Sequence, residues 1–128
     1  MNKDLYQSVK NARDGYKNIE VEVDQSYKIN VRNRVYPKSC YNKSWDYMLG
    51  HDIENMVLVH GNFTLFGLKW GHAWVEIDNV IFDGVYQRFY DKDLYYAELG
   101  LVKDIGYTQK ESAKLGVYYR HKGPWVNE

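Results

Sequence analysis

The predicted fold is decided by one stretch, Gly71-His72-Ala73-Trp74-Val75-Glu76-Ile77-Asp78-Asn79-Val80-Ile81-Phe82-Asp83. Apolar and polar side chains alternate along its first half, so that Ala73, Val75 and Ile77 share one face. A period of two is typical of a β-strand with one buried face. The Asp78-Asn79 pair predicts a two-residue turn, because both residue types tolerate a positive φ. An apolar run returns after the turn, and the whole stretch therefore predicts a β-hairpin.

The register of this hairpin brings a histidine and a carboxylate to the same face. A two-residue loop places Trp74 opposite Asp83 and His72 opposite Val85. His72 and Asp83 are then diagonal neighbours, roughly 7–8 Å apart at Cα, which allows an imidazole–carboxylate hydrogen bond. A shift by one residue would turn Asp83 into the core, where a carboxylate is costly. We therefore predict that Asp83 orients His72; the alternative is that Asp83 only shapes the turn into Gly84.

The position of the single cysteine, Cys40, predicts a nucleophile. Ser39 is a candidate N-cap, which places Cys40 at the first position of a helix that ends at Gly50. Unpaired N–H groups and the helix dipole favour a thiolate there, and a thiolate is a strong nucleophile. We therefore expect Cys40 to be alkylated faster than free cysteine at mildly acidic pH. The alternative is a small buried hydrophobic residue, which is the usual fate of a free cysteine.

The remaining elements predict an α+β fold in one domain that spans residues 1–128. Helices are predicted at Lys3–Asp14, at Asp91–Leu99, and from the capping box at Thr108–Glu111 to Leu115 with Gly116 as C-cap. Strands are predicted at Ile19–Val23, Tyr27–Val31, Met56–His60, Asn62–Phe66 and Val117–Arg120, with a bulge at Gly61. The cysteine helix is expected to pack on the sheet through a stripe at helical spacing: Tyr41, Trp45, Met48 and Leu49.

Composition and charge argue against several classes of partner. The 128 residues include 17 Lys and Arg and 17 Asp and Glu, so the net charge is zero and no footprint for nucleic acid or an anionic membrane is expected. One cysteine permits no internal disulfide, which fits a reducing compartment. No apolar signal segment or transmembrane run is visible. We expect a cytoplasmic protein with no nucleic acid or membrane partner; its oligomeric state is left open.

The sequence predicts neither a metal nor a cofactor. The other histidines are His51, His60 and His121. A zinc site formed by Cys40, His60 and His72 is conceivable, but no short Cys/His spacing supports it. The chain also has no phosphate-binding glycine loop, dinucleotide-binding fingerprint or serine nucleophile elbow.

Two segments resemble the transglutaminase-like, papain-like cysteine enzyme superfamily. One is Ser-Cys-Tyr-Asn around Cys40, and the other is Gly-His-Ala-Trp-Val-Glu-Ile followed by Ile-Phe-Asp. The resemblance covers about Pro37 to Tyr90 and is most specific in the His-Ala-Trp-Val-Glu run. It implies a papain-like core, in which the helix that bears Cys40 packs on an antiparallel β-sheet. The sheet would carry His72 and Asp83 on adjacent strands.

This resemblance implies a cysteine-dependent hydrolase or acyl transferase that acts on an amide bond, of peptidase, amidase or deamidase type. Cys40 would attack the carbonyl carbon, His72 would move the proton, and Asp83 would hold the imidazole. The substrate would be a peptide, a protein or a small amide. Trp74, on the face of His72, is expected to wall the cleft.

The chain departs from the family pattern near the nucleophile. Arg34 stands where papain-type enzymes carry the glutamine of the oxyanion hole. The N–H of Cys40 supplies one oxyanion donor, and Tyr36 and Asn42 are candidates for the second. The departures favour an alternative function, a catalytically inactive papain-like module that binds a protein or a small molecule.

Overall fold

The structure, a computed structural model, describes residues 3–125. Its α-helices are α1 (Lys3–Gly15), α2 (Cys40–Gly50), α3 (Lys92–Leu99) and α4 (Gln109–Tyr119). Its strands are β1 (Met56–Leu65), β2 (Leu68–Ile77), β3 (Val80–Asp83), β4 (Arg88–Asp91) and β5 (Val102–Tyr107). They form one antiparallel sheet in the order β4-β3-β2-β1-β5, so the predicted α+β class is confirmed. Within these residues no helix is both long enough and apolar enough to cross a bilayer.

The central hairpin has the predicted turn and register. Asp78 has a φ of 53°, and Ile77 pairs with Val80 across the two-residue loop. The pairing of β2 with β3 ends at Val75 and Phe82, whereas β2 pairs with β1 along its whole length. β3 therefore separates from β2 after Phe82, although it still pairs with β4 at Asp83, and this separation leaves one edge of β2 open.

Alternate residues of β2 contribute to two separate cores, where the sequence predicts one buried face. The core under α2 contains Tyr47, Met48, Met56, Leu58, Val75, Ile77, Phe82, Phe89 and Trp125. The core on the opposite face contains Ile19, Val59, Trp74, Ile81, Tyr90, Tyr95 and Leu101. The second core exists because α3 and the chain around Ile19 cover the face that we expected to be open.

Helix α2 begins at Cys40 as predicted, but Ser39 does not cap it with its side chain. The Ser39 hydroxyl donates to the carbonyl of Pro37 at 3.2 Å. The N–H groups of the first turn therefore have no cap from this side chain, and those of Cys40 and Tyr41 point at the sulfur of Cys40.

The buried face of α2 follows the predicted stripe at Met48, and Trp45 packs against the same core, but Tyr47 is also buried and Leu49 is not. Tyr47 and Met48 are buried in the core, whereas Leu49 is 37% exposed. Trp45 turns toward α4, because its indole N–H donates to the carbonyl of Ser112 at 2.8 Å. The spacing of α2 alone does not encode this contact with a second helix.

The two strands predicted at Ile19–Val23 and Tyr27–Val31 are wrong. Residues 20–24 form no strand beyond an isolated bridge between Glu20 and Tyr90, and short 3-10 helices lie at Lys17–Ile19 and Gln25–Lys28. The carboxylate of Asp24 accepts the main-chain N–H of Ser26 at 2.9 Å. This local hydrogen bond competes with strand pairing.

The strand predicted at Val117–Arg120 is also wrong, because α4 continues through Gly116 to Tyr119. A Cβ on Gly116 would lie 2.7 Å from the indole nitrogen of Trp45. The glycine therefore permits close packing of α4 on α2 and is not a C-cap. The predicted starts of α3 and α4 are confirmed, the latter with its capping box at Thr108 and Glu111.

Candidate functional site

Cys40 lies at the edge of β2 that β3 leaves open. The main-chain N–H of Ala73 faces its Sγ, as do the N–H groups of Cys40 and Tyr41. Main-chain groups two residues apart on a strand point to the same edge, and Val75 still pairs with β3. The sulfur therefore occupies the position of the missing ladder partner, immediately beside the main chain of His72.

Gly84 allows helix α2 to approach this edge. A Cβ on Gly84 would lie 2.7 Å from Cβ of Lys43 and 3.0 Å from the nitrogen of Ser44. The next residue, Val85, accepts the N–H of Tyr36 at 2.8 Å, which holds the departing chain away from β2. The Asp83-Gly84 pair thus makes room for the start of the cysteine helix.

His72 and Asp83 share a face, as the register predicts, but a third residue joins them. Nε2 of His72 lies 2.9 Å from the hydroxyl of Tyr95, and this hydroxyl donates to Oδ2 of Asp83 at 2.6 Å. Oδ1 of Asp83 accepts the main-chain N–H of Tyr86 at 2.8 Å. The prediction of a direct His72–Asp83 hydrogen bond is therefore corrected, because α3 inserts a phenol between the two groups. We call this chain of hydrogen bonds the His72–Tyr95–Asp83 relay.

Burial sets the protonation states of the thiol and the imidazole. It raises the pKa of Cys40, as does the charge of Asp83, against the opposing effect of the main-chain N–H groups. Burial lowers the pKa of His72, and the charge of Asp83 offsets this only in part. Both groups are therefore neutral at pH 7. The expected lowering of the Cys40 pKa is not found, because desolvation outweighs the helix start.

No hydrogen bond between Cys40 Sγ and His72 occurs in residues 3–125. A cavity of about 330 Å³ opens beside the imidazole instead. It is lined by Tyr16, Phe63, Thr64, Leu65, His72, Asp83, Val85, Tyr86, Glu98 and Leu99. The cavity combines apolar walls with a few polar groups, as small-molecule and substrate sites do.

Trp74, predicted to wall the cleft, is fully buried. Its ring lies under His72, with the ring centroids 5.6 Å apart. Its indole N–H donates to Glu76 at 3.1 Å. The prediction is therefore corrected: Trp74 supports His72 from the second core and cannot line an open cleft.

Glu76 is buried with a full set of partners. Its carboxylate accepts from Tyr96 and Trp74 and lies 3.4 Å from the ammonium of Lys92 and 3.8 Å from that of Lys103. Burial alone would raise the pKa of Glu76, but these partners outweigh it and lower the pKa. The carboxylate is therefore an anchor of the second core and not a surface charge.

The two predicted oxyanion candidates lie away from the cavity at His72. Tyr36 lines another cavity, of about 290 Å³, where the ammonium of Lys43 lies 4.0 Å from its ring centroid. Asn42 is exposed on the first turn of α2. The main-chain N–H of Tyr41 points at the sulfur and is a better candidate for the second donor.

The sequence did not predict a role for Tyr95, because the pattern of α3 gives no signal for it.

The described part of the chain contains no cluster of three or more His, Cys, Asp or Glu side chains that could hold a metal ion. His60 pairs with Ala73 across β1 and β2, so it faces α2, whereas His72 faces the second core. The conceivable zinc site formed by Cys40, His60 and His72 is therefore not assembled.

His60 should make the stability of the fold depend on pH. It is 7% exposed, and burial lowers its pKa to about 4, against about 6.5 in an unfolded chain. Between these values the unfolded state binds more protons, so stability present above about pH 6.5 is lost as the pH falls toward 4. We expect this one group to cost up to about 3 kcal/mol of unfolding free energy across the window.

Urea unfolding of wild type and His60→Phe from pH 7 to 4 measures the effect. The wild type should show the steeper loss of stability, and His121→Gln, which changes an exposed histidine, should follow the wild type. Parallel curves for wild type and His60→Phe would contradict the assignment.

Comparison with known proteins gives no relative from which a function could be transferred. No protein-family model matches the chain, and no curated protein sequence or solved structure matches it. A function is therefore inferred from the geometry of Cys40, His72 and the relay.

Proposed function

We propose that this chain is a cysteine-dependent hydrolase or acyl transferase of papain-like fold that acts on amide bonds. One observation carries the proposal: Cys40 Sγ lies at a helix start, against the N–H of Ala73 and beside the main chain of His72. The Nε2 of this histidine is engaged by a hydroxyl that a carboxylate holds. Acyl transfer requires a nucleophile within reach of an oriented base, and the sulfur beside the main chain of His72 supports this arrangement.

The proposed reaction begins when Cys40 Sγ attacks the carbonyl carbon of the substrate. The S–C bond forms while the thiol proton passes to Nδ1 of His72, and the N–H groups of Cys40 and Tyr41 stabilise the oxyanion. The C–N bond then breaks as His72 returns the proton to the leaving amine. Water or a second amine resolves the thioester, which gives hydrolysis or acyl transfer.

The neutral resting forms of Cys40 and His72 favour a mechanism in which the proton is transferred during the attack. Because the pKa of Cys40 is raised and that of His72 is lowered, the proton moves during the attack and no ion pair precedes it. The missing Cys40–His72 hydrogen bond fits a free enzyme, since such contacts often tighten only when the substrate binds.

A second candidate function is a binding module without catalysis. The burial that raises the pKa of Cys40 favours it. In that case the cavity of about 330 Å³ beside His72 would hold a ligand without chemistry at the thiol.

Acetylation by p-nitrophenyl acetate separates these functions without a known substrate. Attack of the Cys40 thiol forms a thioester and breaks the ester C–O bond, and intact-mass spectrometry measures the acetyl group on Cys40. At pH 7 we expect His72→Ala and His72→Gln to acetylate at least about 10²-fold more slowly than wild type. His60→Phe, which changes the buried histidine on the other face, should keep the wild-type rate.

The pH profile gives a further distinction. The wild-type rate should already rise below about pH 6.5, as His72 loses its proton, whereas His72→Ala should respond only to the thiol, above about pH 8.5. Superimposable profiles for the two proteins would leave the binding module as the function.

A further inference from the structure

We propose that Tyr95 is a positioning residue for His72. Its hydroxyl, held by Asp83, fixes the imidazole in the Nε2–H tautomer and leaves the Nδ1 lone pair for the thiol of Cys40. The catalytic meaning of this role rests on the proposed function, but the tautomer is a property of the folded chain and can be measured independently.

The direction of the hydrogen bonds follows from the number of protons. The Asp83 carboxylate accepts from the N–H of Tyr86 at one oxygen and from the hydroxyl of Tyr95 at the other. The phenol has a single proton, which this second bond uses. The hydroxyl oxygen can therefore only accept from His72, so Nε2 carries the proton of the neutral imidazole.

The surroundings of Tyr95 hold the hydroxyl in place. The side chain is buried, and burial together with the charge of Asp83 raises its pKa well above the ordinary value, so the phenol keeps its proton. Its ring stacks on that of Tyr90, with the centroids 5.5 Å apart. On the other side of the site Trp74 packs against the imidazole. Neither the phenol of Tyr95 nor the imidazole of His72 can turn away from their shared hydrogen bond without disturbing the second core.

A purely structural role for Tyr95, as a ring that fills the core and satisfies Asp83, makes a different prediction. In that case the tautomer of His72 would not depend on the hydroxyl. Tyr95→Phe removes one oxygen atom, keeps the stacked ring, and therefore separates the two roles.

Long-range ¹H–¹⁵N correlation spectra of protein labelled with ¹⁵N-histidine report the tautomer directly, with His72→Gln to assign the signal. At pH 7 the wild type should show His72 in the Nε2–H form, and Tyr95→Phe should show a mixture or the Nδ1–H form. Tyr90→Phe is the matched control. It removes a buried hydroxyl that has no hydrogen-bond partner among residues 3–125, and it leaves the relay intact. It should give the wild-type spectrum.

Acetylation of Cys40 provides the functional readout. We expect Tyr95→Phe to lower the rate at pH 7 at least about tenfold and Tyr90→Phe to leave it unchanged, with circular dichroism to show that both fold.

An Nδ1–H form in the wild type, or an Nε2–H form retained in Tyr95→Phe, would overturn the proposal. The wild-type spectrum, with its signal assigned by His72→Gln, tests the proposal even where Tyr95→Phe does not fold. Equal acetylation of wild type and His72→Ala would instead end the proposed function, while the tautomer result would still stand.

Discussion

Asp83→Asn should lower the rate of Cys40 acetylation by about 10²–10⁴-fold without unfolding the protein. The asparagine offers one acceptor where the aspartate offers two, to the N–H of Tyr86 and the hydroxyl of Tyr95. The main-chain N–H of Tyr86 has a fixed direction, whereas the hydroxyl of Tyr95 can rotate. We therefore expect the asparagine oxygen to face Tyr86 and its NH₂ group to face Tyr95. The phenol then donates to Nε2 of His72, and the imidazole carries its proton on Nδ1.

An imidazole protonated on Nδ1 presents no lone pair to the thiol, which explains the size of the expected loss. The turn after β3 should persist, because asparagine keeps the bond to the N–H of Tyr86. Acetylation rate and thermal unfolding measure both effects, and Asp78→Asn, in the exposed hairpin turn, is the control that should change neither. If the acetylation rate of Asp83→Asn matches wild type, Asp83 only shapes the turn into Gly84.

Trp74→Ala should lower the free energy of unfolding by about 3–5 kcal/mol. The side chain is fully buried in the second core. Its removal leaves a cavity under His72 and takes the indole donor from Glu76. Urea unfolding measures the loss. The control is Trp70→Ala, on the same strand, whose side chain is 49% exposed and should affect stability much less.

The same two variants test whether Trp74 belongs to the core or lines an open cleft. If Trp74→Ala kept its stability but changed the affinity for amide ligands, the side chain would line an open cleft after all. Equal destabilisation of both tryptophan variants would contradict the assignment of Trp74 to a core.

The hairpin and the start of α2 could be predicted because short-range signals determine them. A two-residue turn and strict alternation fix the register around Ile77 and Val80, and Cys40 precedes apolar side chains at helical spacing. The capping box at Thr108 is equally local. Each of these features depends on residues within a few positions of one another.

The rest of the site depends on contacts between distant segments. Glu76 resembles a surface charge in the sequence, but Lys92, Tyr96 and Lys103 arrive from α3 and β5 to pair with it. The buried second face was missed for that reason. Strand β5 was missed because most of its side chains are exposed, so it lacks an apolar alternation.

Tyr95 and the Cys40 pKa could not be predicted for the same physical reason. Tyr95 is 23 positions from His72, and nothing in the local pattern of α3 indicates which ring faces the imidazole. The raised pKa of Cys40 comes from burial by the whole fold, whereas the sequence indicates only the helix start.

Because the single sheet carries a core on each of its two faces, the site is complete only when both faces are covered. The thiol belongs to the layer of α2, whereas Tyr95 belongs to the layer of α3, and the two meet only at the edge that β3 vacates. A chain in which α2 alone has docked carries a sulfhydryl without an oriented base. Under the proposed function, the chain would therefore become reactive only when both helical layers have packed on the sheet.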